Sequence, residues 1–417
     1  MNNNLIFRLD GVSLIIYLAL VCFGLINIYS TSYSEEVLPL WNLGSPIGKQ
    51  FWFFVISLCL MPIVLFIKPN FFDHLSYLFY GISILSLVGL FVLGQTISGA
   101  TSWYILGGFS LQPSEFAKIT TILVVALTLS NIQSDIKSRQ TLLKLILFIS
   151  IPILLIILQP DAGSALVFLG LFFVLIREGL DLRIFYLGLG MISIFIFTLL
   201  FDPLWVSISC LILILIGYLI IKNNQQRTPR NPFIVLIGLC VLFSYSANFI
   251  FHSVFEQRHR DRFNIILGLE TDTKGIGYNI NQSKIAIGSG GFSGKGFLNG
   301  TQTKGGFVPE QHTDYIFTTI GEEWGFLGSS VVIILFTTLI CRILLRAERH
   351  NTTFPRAYSY GFASMLFVHF FVNVGMTLGL VPTVGIPLPF ISYGGSSLLA
   401  FSLMFFIYLN FDANRLS

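Results

Sequence analysis

The sequence predicts an all-α polytopic membrane protein, and three observations lead there. Of 417 residues, 54% are hydrophobic and 15% aromatic while 11% are charged, more apolar side chain than one soluble core can bury. Apolar runs of about twenty residues, the length that crosses a bilayer as a helix, recur from end to end. The segments between them alternate in charge, as loops on opposite sides of a membrane do. The formal net charge is only +4 and no domain is strongly basic, so nothing points to nucleic acid. Cys22, Cys59, Cys210, Cys240 and Cys341 lie in or beside apolar runs without CxxC or histidine at metal spacing, and read as packing residues.

The first run, Val12 to Ile28, follows Arg8 without a small-residue cleavage site, which makes it a retained helix. About twelve spans follow the twenty-residue criterion, near 11–30, 50–68, 75–94, 114–131, 142–159, 162–178, 183–201, 204–222, 232–251, 314–342, 357–380 and 390–411. The chain is expected to be one integral membrane domain over 1–417, with a long extracytoplasmic loop at 252–313 before the tenth span. Arg8, Lys68, Lys137, Arg139, Arg177, Arg183, Lys222, Arg227, Arg230, Arg346, Arg349, Arg356 and Arg415 fall on one side, which the positive-inside rule makes cytoplasmic, with both termini. Glu35, Glu36, the nearly uncharged 95–111 segment, Asp161, Asp202 and the 382–389 turn fall on the other. The long loop carries Arg258, Arg260, Arg262, Lys274, Lys284, Lys295 and Lys304 on that outer side. Long loops translocate largely regardless of charge, and held there these cations suit an anionic ligand such as a phosphate or pyrophosphate.

Residues 283–328 form the long polar stretch of the chain, where a membrane protein keeps chemistry that needs water. IGSGGFSGKG, ending at Gly296, departs from the nucleotide-binding P-loop: Ser289 stands at the first glycine position and Gly296 where Ser or Thr is required. Its readings are a flexible gate over a substrate cleft or a simple loop. In PEQHTDYIF, Asp314 stands where an apolar run begins. It suits a general base toward a sugar hydroxyl, and equally a helix N-terminal acid complementing the macrodipole. Glu322 and Glu323 follow two turns later. Glu310, His312 and Asp314 also form a candidate set for a divalent cation, Mg or Mn.

In QPSEFAK, Pro113 suits a first helical turn, and Glu115 and Lys118 share one face three residues apart. A structural ion pair between helices and a ligand contact are both open. Asp161 in QPDAGSA sits at an outer turn. Residues 373–397, NVGMTLGLVPTVGIPLPFISYGGSS and including Ser396, are too rich in Pro and Gly for a continuous helix. Broken backbone at membrane depth needs protein or a watery cavity around it, which favours a re-entrant outer segment.

These motifs together resemble the SEDS family (shape, elongation, division and sporulation), peptidoglycan polymerases, and its elongation, rod-shape-determining branch more than its division branch. QPSEFAK, QPDAGSA, SKIAIGSGGFSGKG, GTQ, PEQHTDYIF, GEEWG and the 373–397 segment occur in the family's order over almost the whole chain. The resemblance implies that Asp314 matches the essential extracytoplasmic aspartate, and that Glu115, Lys118 and Asp161 match functionally important polar positions. It implies lipid II and a growing lipid-linked glycan strand as substrates, a class B penicillin-binding protein as partner, and the bacterial inner membrane as location. Two departures stand out. Ser102 precedes Trp103 where the family usually has Arg, and the family's ten spans become about twelve through a probable hairpin inserted within 183–251.

The expected reaction is inverting glycosyl transfer forming a β-1,4 linkage and releasing polyprenyl pyrophosphate. Asp314 is its base, and Lys284, Lys295, Glu310, His312, Glu322 and Ser396 are candidate substrate-binding or structural positions. The rival expectations are a flippase of a lipid-linked precursor and a scaffold that activates its penicillin-binding partner.

Overall fold

The computed structural model describes residues 9–33, 41–97, 99–106, 109–131, 136–224, 231–255, 257–269 and 276–415. The charge assignments to Arg8, Glu35, Glu36, Arg227, Arg230 and Lys274 lie outside them. Contacts divide the chain into two compact units, 1–179 with 278–417, and 180–277.

In the first unit, α1 (Gly11–Thr31) starts at Asp10, whose carboxylate accepts from Ser13 N. Helix α2 (Pro46–Phe66) starts at Ser45, whose hydroxyl accepts from Gly48 N; α3 (Pro69–Leu93) and α4 (Pro113–Ser130) open on proline, as α2 does. Side-chain caps and N1 prolines both suit the unpaired first N–H groups of a helix. Between α3 and α4, β1 (Gln95–Ile97), β2 (Ala100–Leu106) and β3 (Phe109–Leu111) make an antiparallel ribbon in the order β1-β2-β3. An uncharged loop was expected here. Pairing gives that short stretch internal partners for its backbone, and Thr101 N also donates to Gln159 O. Ser102, at the position where the resemblance calls for Arg, is buried.

Helix α5 (Arg139–Ile157) is followed by α6 (Ala162–Val167) and α7 (Leu171–Arg177), joined by a 3₁₀ turn at 168–170. This broken pair occupies the expected 162–178 span. Among the described residues, eleven helices are long and apolar enough to cross a membrane, and 162–177 is a shorter apolar piece; the count of twelve is therefore not reproduced.

The second unit holds α8 (Leu182–Leu200), α9 (Pro203–Asn224), α10 (Asn231–Phe249), a π turn at 250–254 and α11 (Gln257–Ile266). Thr198 and Ser244 hydroxyls meet at 3.0 Å between α8 and α10, and Tyr218 packs edge-on to Phe233. The probable inserted hairpin falls in this unit.

The first unit resumes in α12 (Ile276–Ser289), α13 (Thr301–Lys304), α14 (Ile316–Ala347), α15 (Thr353–Thr377) and α16 (Gly395–Ala413). Among the described residues, the expected 252–313 loop thus contains three helices. Helix α14 breaks at Gly325, with φ 64° and ψ −157°, a backbone region open essentially to glycine.

The core of this unit is α4, α15 and α16, whose apolar windows are 72%, 78% and 89% buried. Two of its polar side chains are matched to backbone groups freed at helix ends, where in hydrocarbon no water can satisfy them. Asn410 Nδ2 on α16 donates to the carbonyls of Val64 and Ile67 at the end of α2. Gln50 on α2 donates to Ser392 O at 3.1 Å and accepts from Gly394 N at 3.0 Å. At the far end of α14, Asp10 receives Arg342 at 2.6 Å and Arg346 at 2.8 Å, while Asp412 receives Arg346 and Arg415.

Candidate active site

Asp314 stands two residues before α14, half-buried, in a segment whose backbone is pinned at three successive carbonyls. Tyr393 N donates to His312 O at 2.8 Å, Ser392 Oγ to Thr313 O at 2.6 Å, and Asn373 Nδ2 to Asp314 O at 2.8 Å. The donors come from the Pro- and Gly-rich segment 378–394 and from α15. That segment contains Pro382, Pro387 and Pro389, which lack N–H groups for a regular ladder, so side chains organise it. Asn373 Nδ2 also donates to Ile386 O at 2.7 Å, and Leu388 N to Ser392 Oγ at 2.8 Å. Gly385 adopts φ +71°, and a Cβ there would stand 3.2 Å from Asp314 Oδ2. The carboxylate therefore lies against bare backbone.

Lys284 is exposed on α12, its ammonium lying against Gly379 at the end of α15. The neighbouring Ser283 hydroxyl holds the helix in place, donating to Thr377 O at 2.8 Å and meeting Thr318 Oγ1 at 2.6 Å. An exposed cation beside the 378–394 segment is available to an anionic group.

Glu322 and Lys295 have a different part. The Glu322 carboxylate is buried and receives Lys295 Nζ at 2.8 Å, Gln302 N and Thr303 N each at 2.8 Å, and the hydroxyls of Thr301 and Thr303. It ties residues 295–303 to α14. The backbone of the glycine-rich stretch 288–296 pairs with α14 on either side of its break. Lys295 N and Gly296 N donate to the Glu322 and Glu323 carbonyls, and Phe326 N and Leu327 N donate to the carbonyls of Gly291 and Phe292. These are the groups that a break at Gly325 leaves without helical partners.

Glu310 accepts from Thr313 Oγ1 at 2.9 Å and is exposed, and the His312 ring packs 5.6 Å from Tyr393. Among the described residues no three His, Cys, Asp or Glu side chains gather as a metal set would. The Glu310, His312 and Asp314 arrangement does not fit the expected cation.

Asp161 caps α6, accepting from Ser164 N at 3.0 Å, and holds Gln112 Nε2 at 3.0 Å. Ser396 accepts from Gln112 N at 3.2 Å and donates to Ser110 O at 2.9 Å, which joins the start of α16 to the start of α4. Glu115 and Lys118 are paired at 2.7 Å and almost wholly buried. Lys118 also meets His369 Nε2 at 2.9 Å. His369 and Asn373 escaped the sequence reading; the signal was present as two polar residues at i, i+4 in the apolar run FVHFFVN.

The family model described as a cell cycle protein of the FtsW, RodA and SpoVE type matches residues 11–208 and 182–416. The two stretches overlap inside the separately packed unit. The peptidoglycan glycosyltransferase MrdB of Escherichia coli (strain K12) is 34% identical over 409 residues, 98% of this chain and 94% of that one. The peptidoglycan glycosyltransferase RodA of Treponema pallidum (strain Nichols) is 31% identical over 449 residues, covering 98% and 100%. Among solved structures, a chain of a peptidoglycan synthase complex that coordinates polymerization and crosslinking matches with TM-score 0.72 and 26% identity, covering 98% and 99%. Thermus thermophilus RodA shares the fold at TM-score 0.62 and 24% identity, with 98% of each chain covered.

Proposed function

The chain belongs to the FtsW, RodA and SpoVE family, and from that premise we propose that Asp314 is the general base of its glycosyl transfer. It is a multi-pass membrane protein and a peptidoglycan glycosyltransferase, as its relatives are. The observation that carries the proposal is the fixing of the His312, Thr313 and Asp314 carbonyls by Tyr393, Ser392 and Asn373. A base must be held within hydrogen-bond reach of the proton it removes, and here three donors hold the backbone on either side of one carboxylate.

The donor substrate is lipid II and the acceptor is the lipid II or growing strand whose terminal GlcNAc 4-hydroxyl attacks. Asp314 takes the hydroxyl proton as the oxygen bonds to the donor's anomeric carbon. The bond from that carbon to the pyrophosphate oxygen breaks, and polyprenyl pyrophosphate leaves. Change from an α to a β linkage in a single displacement inverts the anomeric carbon, as in inverting glycosidases. Lys284, exposed beside Gly379, is the cation we assign to the departing pyrophosphate. Lys295, bonded to the buried Glu322, is not the cation we assign to it. The site faces the outer side of the bacterial inner membrane, with both termini cytoplasmic and a class B penicillin-binding protein as crosslinking partner.

The test is polymerisation of labelled lipid II by the purified protein with and without that partner, comparing wild type with Asp314→Ala and checking the folding of both. Glycan strands from wild type and none from the folded variant are expected. Equal polymerisation removes Asp314 from the mechanism, and none from either protein favours a flippase or a scaffold.

A further inference from the structure

The Lys118 ammonium is fully buried between Glu115 Oε1 at 2.7 Å and His369 Nε2 at 2.9 Å. An ammonium has no acceptor, so Nε2 accepts and the ring proton resides on Nδ1. Nδ1 then donates to Pro387 O at 3.1 Å. Phe401 packs edge-on to the imidazole at 4.8 Å and beneath the ammonium at 5.3 Å, which fixes the ring plane. One turn along α15, Asn373 holds Ile386 O and Asp314 O. Two successive carbonyls of the proline-rich segment, 386 and 387, thus hang from α15 side chains spaced i, i+4, beside the Gly385 backbone that lies against Asp314.

We propose that His369 is a positioning residue for glycosyl transfer, accepting from Lys118 and donating to Pro387 so that the Glu115–Lys118 pair acts through it on the backbone against Asp314. The inference rests on the assignment of Asp314 as base. A structural ion pair alone requires no third member joined to the segment at the site. Here the third member has both nitrogens engaged, one on each side.

The experiment uses the full chain with its partner and compares wild type, His369→Gln and His369→Phe. Glutamine offers a carbonyl to Lys118 and an N–H to Pro387, whereas phenylalanine fills the space and offers neither. His369→Gln is expected to stay within about threefold of wild type, and His369→Phe to lose about 10- to 100-fold in kcat with little change in KM. Hydrogen exchange of the amides in 388–394 is expected to quicken in His369→Phe and not in His369→Gln. Equal activity of the two variants, or unchanged exchange in His369→Phe, overturns the proposal. If His369→Phe does not fold, His369→Asn replaces it: the same amide one methylene short should lose kcat, and activity equal to His369→Gln overturns the proposal. Asp314→Ala in the same assay separates the two readings. If it polymerises normally, the base assignment falls while the exchange data still decide whether His369 tethers the segment.

Discussion

Asn373 holds the backbone carbonyl of Asp314 at 2.8 Å with an amide group that also reaches Ile386, so the position of the acid belongs to α15 as much as to the start of α14. Replacing Asn373 with Leu keeps the volume and removes both bonds. A buried carbonyl left without its donor costs about 1–3 kcal/mol. A lower melting temperature in detergent and a fall in lipid II polymerisation are expected, the second persisting at temperatures where the variant is folded.

Asp314→Asn changes one oxygen to nitrogen and leaves the backbone bonds of residue 314 in place. Removal of a general base costs about 100- to 10,000-fold in rate. That loss should appear in kcat, with KM and the thermal unfolding profile close to wild type; an active Asp314→Asn protein would contradict the assigned role.

Glu322 is the acceptor for residues 295–303, so its loss should be felt in the loop before it is felt in the bundle. Glu322→Ala leaves the buried ends of Gln302 N and Thr303 N unsatisfied and Lys295 without its carboxylate. Breaking a largely buried pair of this kind costs about 3–5 kcal/mol. Limited proteolysis should cut Glu322→Ala within 295–304 faster than wild type, with Glu322→Gln in between.

His350 lies in the turn between α14 and α15, buried, and burial together with Arg415 and Arg356 pushes its pKa down to about 4. The unfolded imidazole takes up a proton near its ordinary 6.5, the folded one only near 4. Folded-state stability from this group is therefore fully present above pH 6.5 and is lost as pH falls toward 4, by about 3 kcal/mol in all. Melting temperatures measured across that window should fall with pH in wild type and fall less steeply in His350→Leu.

The spans were legible because each is a local property of about twenty consecutive residues. The ion pair of QPSEFAK was legible because i, i+3 spacing places Glu115 and Lys118 on one face. Asp314 was legible as an acid at the border of an apolar run. What escaped is what depends on distant partners. For Glu322 the sequence leaves substrate binding and a structural role both open, and its five donors from residues 295–303 appear only once α14 is folded against them. The glycines of 288–296 are locally compatible with a gate, and their use in completing the break at Gly325 follows from backbone pairing between two separate segments. His369 sits in an apolar run that reads as ordinary helix and Asn373 heads the Pro- and Gly-rich segment, and neither shows its partner until 386–387 folds back beside α15. The 95–111 ribbon is built of strands of three and seven residues, shorter than a pattern needs to declare itself.

Asp10 and Arg342, joined at 2.6 Å, are 332 residues apart in sequence. Chains grow at about 5–20 residues per second, so the acid that begins the first helix waits roughly half a minute on the ribosome before its guanidinium is made. Until then it must remain at the water boundary, because an unpaired carboxylate cannot follow the helix into lipid. Arrival of Arg342 and Arg346 removes that charge from solvent and joins the first-made helix to a late one. A chain stalled or truncated before that point keeps an unmatched acid at the membrane edge, without the tie from its first span to α14.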